Sequence, residues 1–358
     1  MKKIIFRVDA SVWIGSGHVM RCLVLADELT KHSYQVAFAC LPQKGDLCHF
    51  IQERGYSVIE LTPPELQITP KHSSDYIGWL QRSIQEDIDD LVPYLDGVDW
   101  VICDHYALGQ DWQKQIKQRT GVRILAIDDL VRKHCADIVV DQTLSRTAIE
   151  YETTGMVLAG VDYALLSPNF SELRSCAEDR QPNLDNPRIL ISMGGVDLPN
   201  ATFSVLKSLE SKNVRANITV LMSPRSPHYS QVSDWCKDRD NIEHIDFTNY
   251  MAQMMLEHDI AIGAPGSTSW ERACLGLPSI VVPLADNQKD ICHQLVAENL
   301  SRKVELNSIA SELFNTYREV CSDWHQMHLN NLRACDGLGT RRVVSEIIEL
   351  ENENNNFM

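Results

Sequence analysis

A glycine-rich turn that ends in a histidine is the first stretch of this sequence able to do chemistry. Gly15-Ser16-Gly17-His18 lies between an apolar run and a segment with helical spacing of apolar residues. Glycines let the backbone turn tightly and approach a ligand, and a histidine at the start of a helix can accept a proton near neutral pH. The pattern therefore indicates a proton acceptor at a ligand site, although a plain turn with a capping histidine fits it as well.

A second turn, in the C-terminal half, has the character of a nucleotide site. An apolar run ends in a Gly-Ala-Pro-Gly turn at residues 263–266, and Ser267 and Thr268 follow Gly266 as candidate helix caps. Free backbone amides at such a turn bind anions such as a diphosphate. Glu271 comes one helical turn later, where a carboxylate can accept hydrogen bonds from ribose hydroxyls. Together they favour a nucleotide-diphosphate site over a merely well-capped strand–helix unit.

Two further pairs of residues follow predicted strands in this half. Gly194 and Gly195 form a Gly-Gly turn, but neither the GxGxxG nor the GxxxxGK[ST] pattern is present, so this signal alone is weak. Asn287 and Gln288 follow the next apolar run and offer amide donors and acceptors. Both pairs are candidates for contacts to the ligand.

Polar residues recur where predicted strands of the N-terminal half end. Asp9 follows the first strand, Asp104-His105-Tyr106 follows another, and Asp128-Asp129 a third. Each alone is better explained as a cap or turn residue, but ligands of parallel sheets bind at the carboxyl ends of strands. Their recurrence predicts a polar pocket on one rim.

The elements that must position these residues alternate between short apolar runs and helical segments, which is typical of an α/β protein with parallel sheets. A polar stretch with two prolines, within residues 176–187, indicates a linker between two domains. We therefore predict an N-terminal domain at 1–178, a second domain at 187–306 and a helical tail at 307–358, with the last residues disordered. Predicted strands occupy residues 3–8, 35–40, 100–103, 123–127, 137–140, 188–192, 218–222, 259–263 and 279–282.

The amino-acid composition limits the kinds of molecule that this protein is expected to bind. The 358 residues include 33 Lys and Arg against 49 Asp and Glu, a net charge of −16, which argues against nucleic acid and anionic membrane surfaces. No apolar run reaches the length of a membrane helix and the start does not resemble a signal peptide. The eleven cysteines are scattered, as expected for reduced thiols. We expect a cytoplasmic protein that binds a small molecule and needs neither a metal nor another cofactor; the sequence leaves its oligomeric state open.

A first group of stretches comprises residues 6–11, 14–23, 103–106, 192–197 and 336–342. These stretches resemble a known family, the UDP-2,4-diacetamido-2,4,6-trideoxy-β-L-altropyranose hydrolases of pseudaminic acid biosynthesis. A second group comprises residues 247–251, 263–271, 276–278 and 288, and it resembles the UDP-binding half of the UDP-GlcNAc transferase of peptidoglycan synthesis. These resemblances imply a GT-B fold, with two Rossmann-like domains whose parallel sheets face a central cleft.

The resemblance also implies roles for individual residues. His18 matches the catalytic histidine, the base that takes a proton from water as it attacks the anomeric carbon. The backbone near Thr248 and Met251 would contact uracil, and Glu271 the ribose. The other implied contacts are Asp9, Arg7 and Tyr106 toward the sugar, Gly194, Gly195, Ser267 and Thr268 toward the diphosphate, and Asn287 and Gln288 toward sugar or phosphate. Gly17 and Gly266 are implied contacts to the UDP-sugar as a whole.

Two other functions fit the same motifs. A GT-B glycosyltransferase would use the same donor site with an alcohol acceptor, although no clear basic and apolar patch beside Trp13 and Ile14 suggests an acceptor groove. A non-catalytic nucleotide-sugar binding protein is the other alternative, and a histidine beside the glycine turn argues against it.

Overall fold

The protein consists of two compact units of similar size. The computed structural model describes residues 1–355, apart from the side chains of Asn287, Asn354 and Asn355. Unit 1 contains Met1–Leu166 and the chain from Leu338 onward, and unit 2 contains Ser167–Gly337. Each unit is built around its own parallel sheet.

Unit 1 holds a seven-stranded sheet with helices on both faces. Its strands are β1 (Lys3–Val8), β2 (Gln35–Cys40), β3 (Ser57–Glu60), β4 (Trp100–Asp104), β5 (Arg123–Ile127), β6 (Ile138–Asp141) and β7 (Met156–Ala159). Its helices before residue 166 are α1 (Gly17–Lys31), α2 (Cys48–Glu53), α3 (Tyr76–Leu80), α4 (Ile84–Leu91) and α5 (Gln110–Thr120). Short 3-10 turns lie at Val92–Tyr94, Ala148–Glu150 and Val161–Tyr163.

The strand order of unit 1 is β3-β2-β1-β4-β5-β6-β7, with every neighbouring pair parallel. The direction in which strands are added reverses between β1 and β4, and such a switch point is where open α/β sheets bind ligands. Side chains of β1 alternate between the two faces: Ile4, Phe6 and Val8 join the core beneath α1, whereas Ile5 joins the core on the opposite face. β1 is thus buried on both sides, as expected for a central parallel strand.

Unit 2 holds a six-stranded sheet of order β10-β9-β8-β11-β12-β13, again all parallel. Its strands are β8 (Arg188–Ser192), β9 (Asn217–Leu221), β10 (Ile242–Ile245), β11 (Ile260–Gly263), β12 (Ser279–Val281) and β13 (Ser301–Lys303). Its helices are α6 (Pro168–Glu178), α7 (Ala201–Ser211), α8 (Tyr229–Lys237), α9 (Met251–Glu257), α10 (Thr268–Cys274), α11 (Lys289–Ala297) and α12 (Ile309–Ala334), and 3-10 turns lie at Asp286–Gln288 and Leu306–Ser308. The switch point of this sheet lies between β8 and β11.

The unit boundaries differ from those predicted from sequence. Unit 2 begins at Ser167 rather than near 187, because α6 packs on α9 and α10 of that unit. The predicted tail of 307–358 is divided: α12 packs on α7 and α10 in unit 2, and the last helix, α13 (Gly339–Asn355), packs on α1 in unit 1. The predicted disorder falls partly on this helix and partly on 356–358, which lie outside the described residues.

All nine predicted strands are present, with bounds within one residue of those expected. The sequence missed β3, β7, β10 and β13, which are three to four residues long and lie toward the sheet edges. None of the helices that the structure describes is long and apolar enough to cross a lipid bilayer.

Candidate active site

His18 lies at the carboxyl edge of the unit 1 sheet. Gly15 has a φ of +80°, a left-handed conformation that favours glycine, and the chain then enters α1 at Gly17. Gly17 and His18 therefore occupy the first positions of α1, and the Ser16 hydroxyl makes no capping bond there. His18 keeps 9% of its surface exposed, enough for one edge of the ring to reach solvent or a ligand.

The imidazole of His18 is held by a carboxylate on the neighbouring strand. His18 Nδ1 lies 2.6 Å from Oδ1 of Asp104, the last residue of β4. Arg21, one turn further along α1, donates to the same carboxylate from Nε to Oδ2 at 2.6 Å and from Nη2 to Oδ1 at 2.7 Å. Although burial opposes ionisation, Arg21 and then His18 hold the pKa of the Asp104 carboxyl well below its usual range.

Tyr106 packs against the same histidine. Its ring meets the His18 ring edge-on, with 4.8 Å between centroids, and its hydroxyl donates to Asp129 Oδ2 at 2.8 Å. The aromatic rings of Tyr76 and Trp79 pack on Tyr106 from the other side. Tyr106 and Asp129 thus lie beside His18 at this edge, and the ligand pocket predicted there stays a prediction.

Asp9 does not lie on that rim. It is 1% exposed, and its Oδ1 accepts bonds of 2.7 Å from Arg7 Nη1 and from the backbone amide of Leu41. Arg7 in turn donates to Asp87 of α4, and Trp112 donates to the same carboxylate. The expected sugar contact of Asp9 is therefore corrected: the carboxylate is enclosed in a buried charge cluster, which anchors the end of β1 to α4.

His105 is also turned away from the rim. It is 2% exposed, and its Nδ1 accepts a bond from the amide of Ala107 at 3.1 Å. Burial lowers the pKa of His105 to about 4, against the opposing effect of Asp9, so the ring is neutral at physiological pH. Of the two histidines near these strand ends, only His18 is placed to exchange a proton with a ligand.

In unit 2, the turn after β8 has an unusual backbone. Gly194 has a φ of +85° with open space where a side chain would lie, and Gly195 follows it. Asp197 is also left-handed, and its carboxylate accepts bonds from the amides of Ala201 and Thr202 at the start of α7. Because Asp197 occupies the first amides of this helix, a ligand can approach through the glycines rather than through the helix end.

The Gly266-Ser267-Thr268 turn lies after β11, across the switch point of the same sheet. Within the described chain the Ser267 hydroxyl makes no capping bond to α10, which corrects the expected cap. Ser269 Oγ instead accepts from the Gly266 amide at 3.2 Å and from Arg272 Nη2 at 3.1 Å. The Ser267 and Thr268 hydroxyls are thus available to a ligand, and open space surrounds Gly266 where a Cβ would lie.

Glu271 lies one turn along α10. Burial raises the pKa of Glu271 to about 7, an effect that the Arg272 charge only partly opposes, and its Oε2 has no hydrogen-bond partner in the described residues. Arg272 is 3% exposed and donates to Ala264 O at 3.0 Å beneath the turn. A buried carboxyl oxygen without a partner is stabilised when a ligand hydroxyl donates a hydrogen bond to it.

The remaining predicted contacts lie on the same face of unit 2. Thr248 Oγ1 accepts a bond from the amide of Tyr250, just before α9 begins at Met251. Gln288 Oε1 accepts from the amide of Leu284 at 2.8 Å, whereas the Asn287 side chain lies outside the described part of the structure. A small pocket is lined by Leu190, Ser192, Met251, Met255, Ala261, Ile262, Thr268 and Arg272.

Sequence reasoning named Asp104 only as one of several strand-end residues, and it missed Arg21, Ser269 and Arg272. The spacing of His18 and Arg21 was the available signal, because residues three apart share one face of a helix. The pairing with Asp104 is 83 to 86 positions distant and becomes visible only when β1 and β4 are neighbours.

Comparison with known proteins relates both units to nucleotide-sugar enzymes. Residues 189–333 match the family model of the glycosyltransferase family 28 C-terminal domain. The chain is 32% identical over 269 residues to the UDP-2,4-diacetamido-2,4,6-trideoxy-β-L-altropyranose hydrolase of Campylobacter jejuni, covering 73% of this chain and 85% of that protein. It is also 24% identical over 347 residues to the spore coat polysaccharide biosynthesis protein SpsG of Bacillus subtilis, covering 94% and 95%.

Among solved structures, the crystal structure of MurG from Acinetobacter baumannii matches with a TM-score of 0.67 at 15% identity, covering 98% of this chain and all of that one. At this identity the likeness concerns the fold alone. With the two all-parallel sheets, it confirms the predicted GT-B fold.

Proposed function

The chain belongs to the family of UDP-2,4-diacetamido-2,4,6-trideoxy-β-L-altropyranose hydrolases, and from this membership we propose that it removes UDP from that nucleotide sugar to give the free 2,4-diacetamido-2,4,6-trideoxy-L-altrose, a step of pseudaminic acid biosynthesis. The observation that carries the proposal is the histidine of unit 1, which is hydrogen-bonded to a buried carboxylate and keeps 9% of its surface exposed. A histidine so held is suited to take a proton from water.

In the proposed reaction, a water oxygen forms a bond to the anomeric carbon while the bond from that carbon to the UDP oxygen breaks. The electron pair of the broken bond leaves with UDP, and His18 accepts a proton from the water. General base catalysis of this kind contributes about 10² to 10⁴-fold in rate. Tyr106 packs on the base and is the proposed sugar-side contact in unit 1, with Gly17 supplying backbone at the same edge.

Unit 2 supplies the proposed contacts to UDP. The Ser267 and Thr268 hydroxyls hold the diphosphate together with the backbone of Gly194, Gly195 and Gly266, and open space surrounds Gly194 and Gly266 where a Cβ would lie. Fixed dipoles there stabilise the charge that develops as UDP leaves. Glu271 accepts hydrogen bonds from the ribose hydroxyls, the backbone near Thr248 and Met251 contacts uracil, and Asn287 and Gln288 reach the sugar or the phosphates.

We further propose that the enzyme works in the cytoplasm and without a metal ion. Eleven free cysteines, eight of them buried, fit a reducing compartment. Hydroxyl and amide donors at the 266–268 turn are of the type that can replace a metal as counterpart of the diphosphate. The expected partner is a small-molecule UDP-sugar, and not nucleic acid.

The proposal is tested by measuring UDP release from the purified protein and UDP-2,4-diacetamido-2,4,6-trideoxy-β-L-altrose, with EDTA present, no acceptor added and UDP-GlcNAc in parallel. Selective release that EDTA does not suppress supports a metal-independent hydrolase. UDP-sugar binding without release contradicts it. That result would favour the alternative GT-B glycosyltransferase, which the family 28 match of residues 189–333 also fits.

A further inference from the structure

Five side chains of unit 1 form a closed ring of contacts around the proposed base. His18 is hydrogen-bonded to Asp104, and Arg21 donates two hydrogen bonds to the same carboxylate. Arg21 Nη1 reaches Asp129 Oδ2 at 3.5 Å, Tyr106 donates to the same oxygen at 2.8 Å, and the Tyr106 ring returns to His18 edge-on. Each member is therefore held from two sides, which fixes the orientation of the imidazole before any ligand binds.

The contacts of Asp104 decide which nitrogen of His18 carries the proton. An ionised carboxylate only accepts hydrogen bonds, so the 2.6 Å contact to Nδ1 requires a proton on that nitrogen. Arg21 Nη2 also lies 3.2 Å from His18 Nδ1, but an unprotonated Nδ1 would set its lone pair against that of Asp104 Oδ1 at only 2.6 Å, so the shorter contact decides the tautomer. In the neutral ring the lone pair is consequently on Nε2, the nitrogen that Asp104 does not contact.

Arg21 has a separate part in this arrangement. Asp104 is 1% exposed, and a buried carboxylate without a counter-charge takes up a proton instead of ionising. A protonated Asp104 could donate to Nδ1 and so place the imidazole proton on Nε2. By donating to both oxygens, Arg21 keeps Asp104 ionised, so that the carboxylate can only accept hydrogen bonds. The same two bonds fix the carboxylate with its Oδ1 atom toward His18.

We infer that Asp104, held by Arg21, is the positioning residue of this enzyme: it selects the Nδ1-protonated form of His18 and leaves Nε2 as the atom that takes the proton from water. The inference rests on the proposed function for the role of Nε2 in turnover. The choice of tautomer itself depends only on the residues of the ring.

The test is a measurement of nitrogen NMR shifts of the protein labelled with [15N]histidine, in buffer alkaline enough to keep imidazoles neutral. His18 is assigned by comparison with His18→Gln. We expect a pyrrole-type Nδ1 and a pyridine-type Nε2 in the wild type, and a population of the reverse tautomer in Asp104→Asn, whose amide group can donate to Nδ1. A wild-type His18 protonated on Nε2 overturns the inference.

Kinetics of the same variants give the second readout. Asp104→Asn is expected to lower kcat about 10²-fold while KM and UDP affinity stay within about twofold, because only the base is misoriented. Asp137→Asn is the matched control: this carboxylate bonds Lys117 and the Ile124 amide, away from the ring, and the variant should keep both kcat and the tautomer. Unchanged kcat in Asp104→Asn overturns the inference.

Failure of the proposed function gives a different pattern. If the wild type shows the Nδ1-protonated imidazole but releases no UDP, the hydrolase assignment fails and the positioning of His18 by Asp104 is supported. If UDP is released by a protein whose His18 is protonated on Nε2, the hydrolase assignment is supported and the positioning role is overturned.

Discussion

His18 on α1 and Asp104 at the end of β4 meet where the strand order of the first sheet reverses, with 2.6 Å between Nδ1 and Oδ1. β1 and β4 are hydrogen-bonded neighbours there, and the helices that follow them leave in opposite directions along the sheet. The reversal opens a gap at the carboxyl edge, and these two side chains fill it. The proposed base and its partner thus follow from topology as much as from motif.

Replacement of His18 by alanine should lower kcat by about 10² to 10⁴-fold, the usual contribution of a general base. UDP affinity should stay close to that of the wild type, because the proposed UDP contacts lie in unit 2. The measurement is steady-state UDP release together with calorimetric titration of UDP. His32→Ala is the matched control, since this exposed histidine ends the same helix. Full turnover by the His18 variant would contradict its role as base.

UDP affinity should depend on pH through Glu271. With a pKa of about 7, this carboxyl is increasingly ionised above pH 7, and the ionised form accepts hydrogen bonds from both ribose hydroxyls. Binding should therefore be tighter at high pH and about tenfold weaker at pH 6 than at pH 8. UDP titrations of the wild type and Glu271→Gln across this pH range test the prediction. The variant is the control for ionisation of the UDP phosphates, which affects both proteins equally. Identical pH profiles for the two proteins would rule out this role for Glu271.

Alanine substitutions at Gly263 and Gly266 should have different effects, the first on stability and the second on UDP affinity. A Cβ at Gly263 would lie 2.2 Å from Ser192 O and 3.1 Å from Arg272 Nη1, so Gly263→Ala should destabilise unit 2 by about 1–3 kcal/mol. Nothing lies within 4 Å of a Cβ at Gly266, so Gly266→Ala should fold normally yet bind UDP about tenfold more weakly, since the methyl group occupies space proposed for the diphosphate. Chemical denaturation and UDP titration measure the two effects. Normal UDP affinity in Gly266→Ala would place the diphosphate elsewhere.

The buried charge cluster beneath β1 should matter for stability and not for chemistry. Asp87 has no exposed side-chain surface and bonds Arg7 and Trp112, so Asp87→Asn should cost about 3–5 kcal/mol by leaving the Arg7 charge poorly compensated. Asp89 lies on the same helix but faces solvent, where its pair with Arg119 is screened, and Asp89→Asn should change little. Urea unfolding of both variants decides the matter. Equal stabilities would show that the cluster is not an anchor of β1.

The sequence predicted well what short-range patterns determine. Strands 35–40, 123–127 and 188–192 each hold a run of three to five apolar residues after a polar first residue, and their bounds are those of β2, β5 and β8. Edge strands such as β10 and β13 were missed because they are short and partly exposed, so their apolar pattern is incomplete. The candidate residues at the two glycine turns came from motif and resemblance, and their contacts with a ligand remain predictions.

What the sequence could not provide is the pairing of distant charges. The resemblance implies that Arg7 lies in the sugar pocket, yet its partner Asp87 is 80 positions away in the sequence and the pair is buried in the interior. Likewise Arg21 and Asp104 become partners only through the pairing of β1 with β4. Side-chain burial at a strand end depends on which helix covers it, and no local pattern carries that information.

The most direct measurement of the central claim is hydrolysis in water enriched in oxygen-18, followed by mass analysis of the released UDP. If water attacks the anomeric carbon with His18 as base, the UDP keeps its original oxygens, and the label enters the free sugar. Label in the terminal phosphate of UDP would mean that water attacks phosphorus, and it would contradict the account.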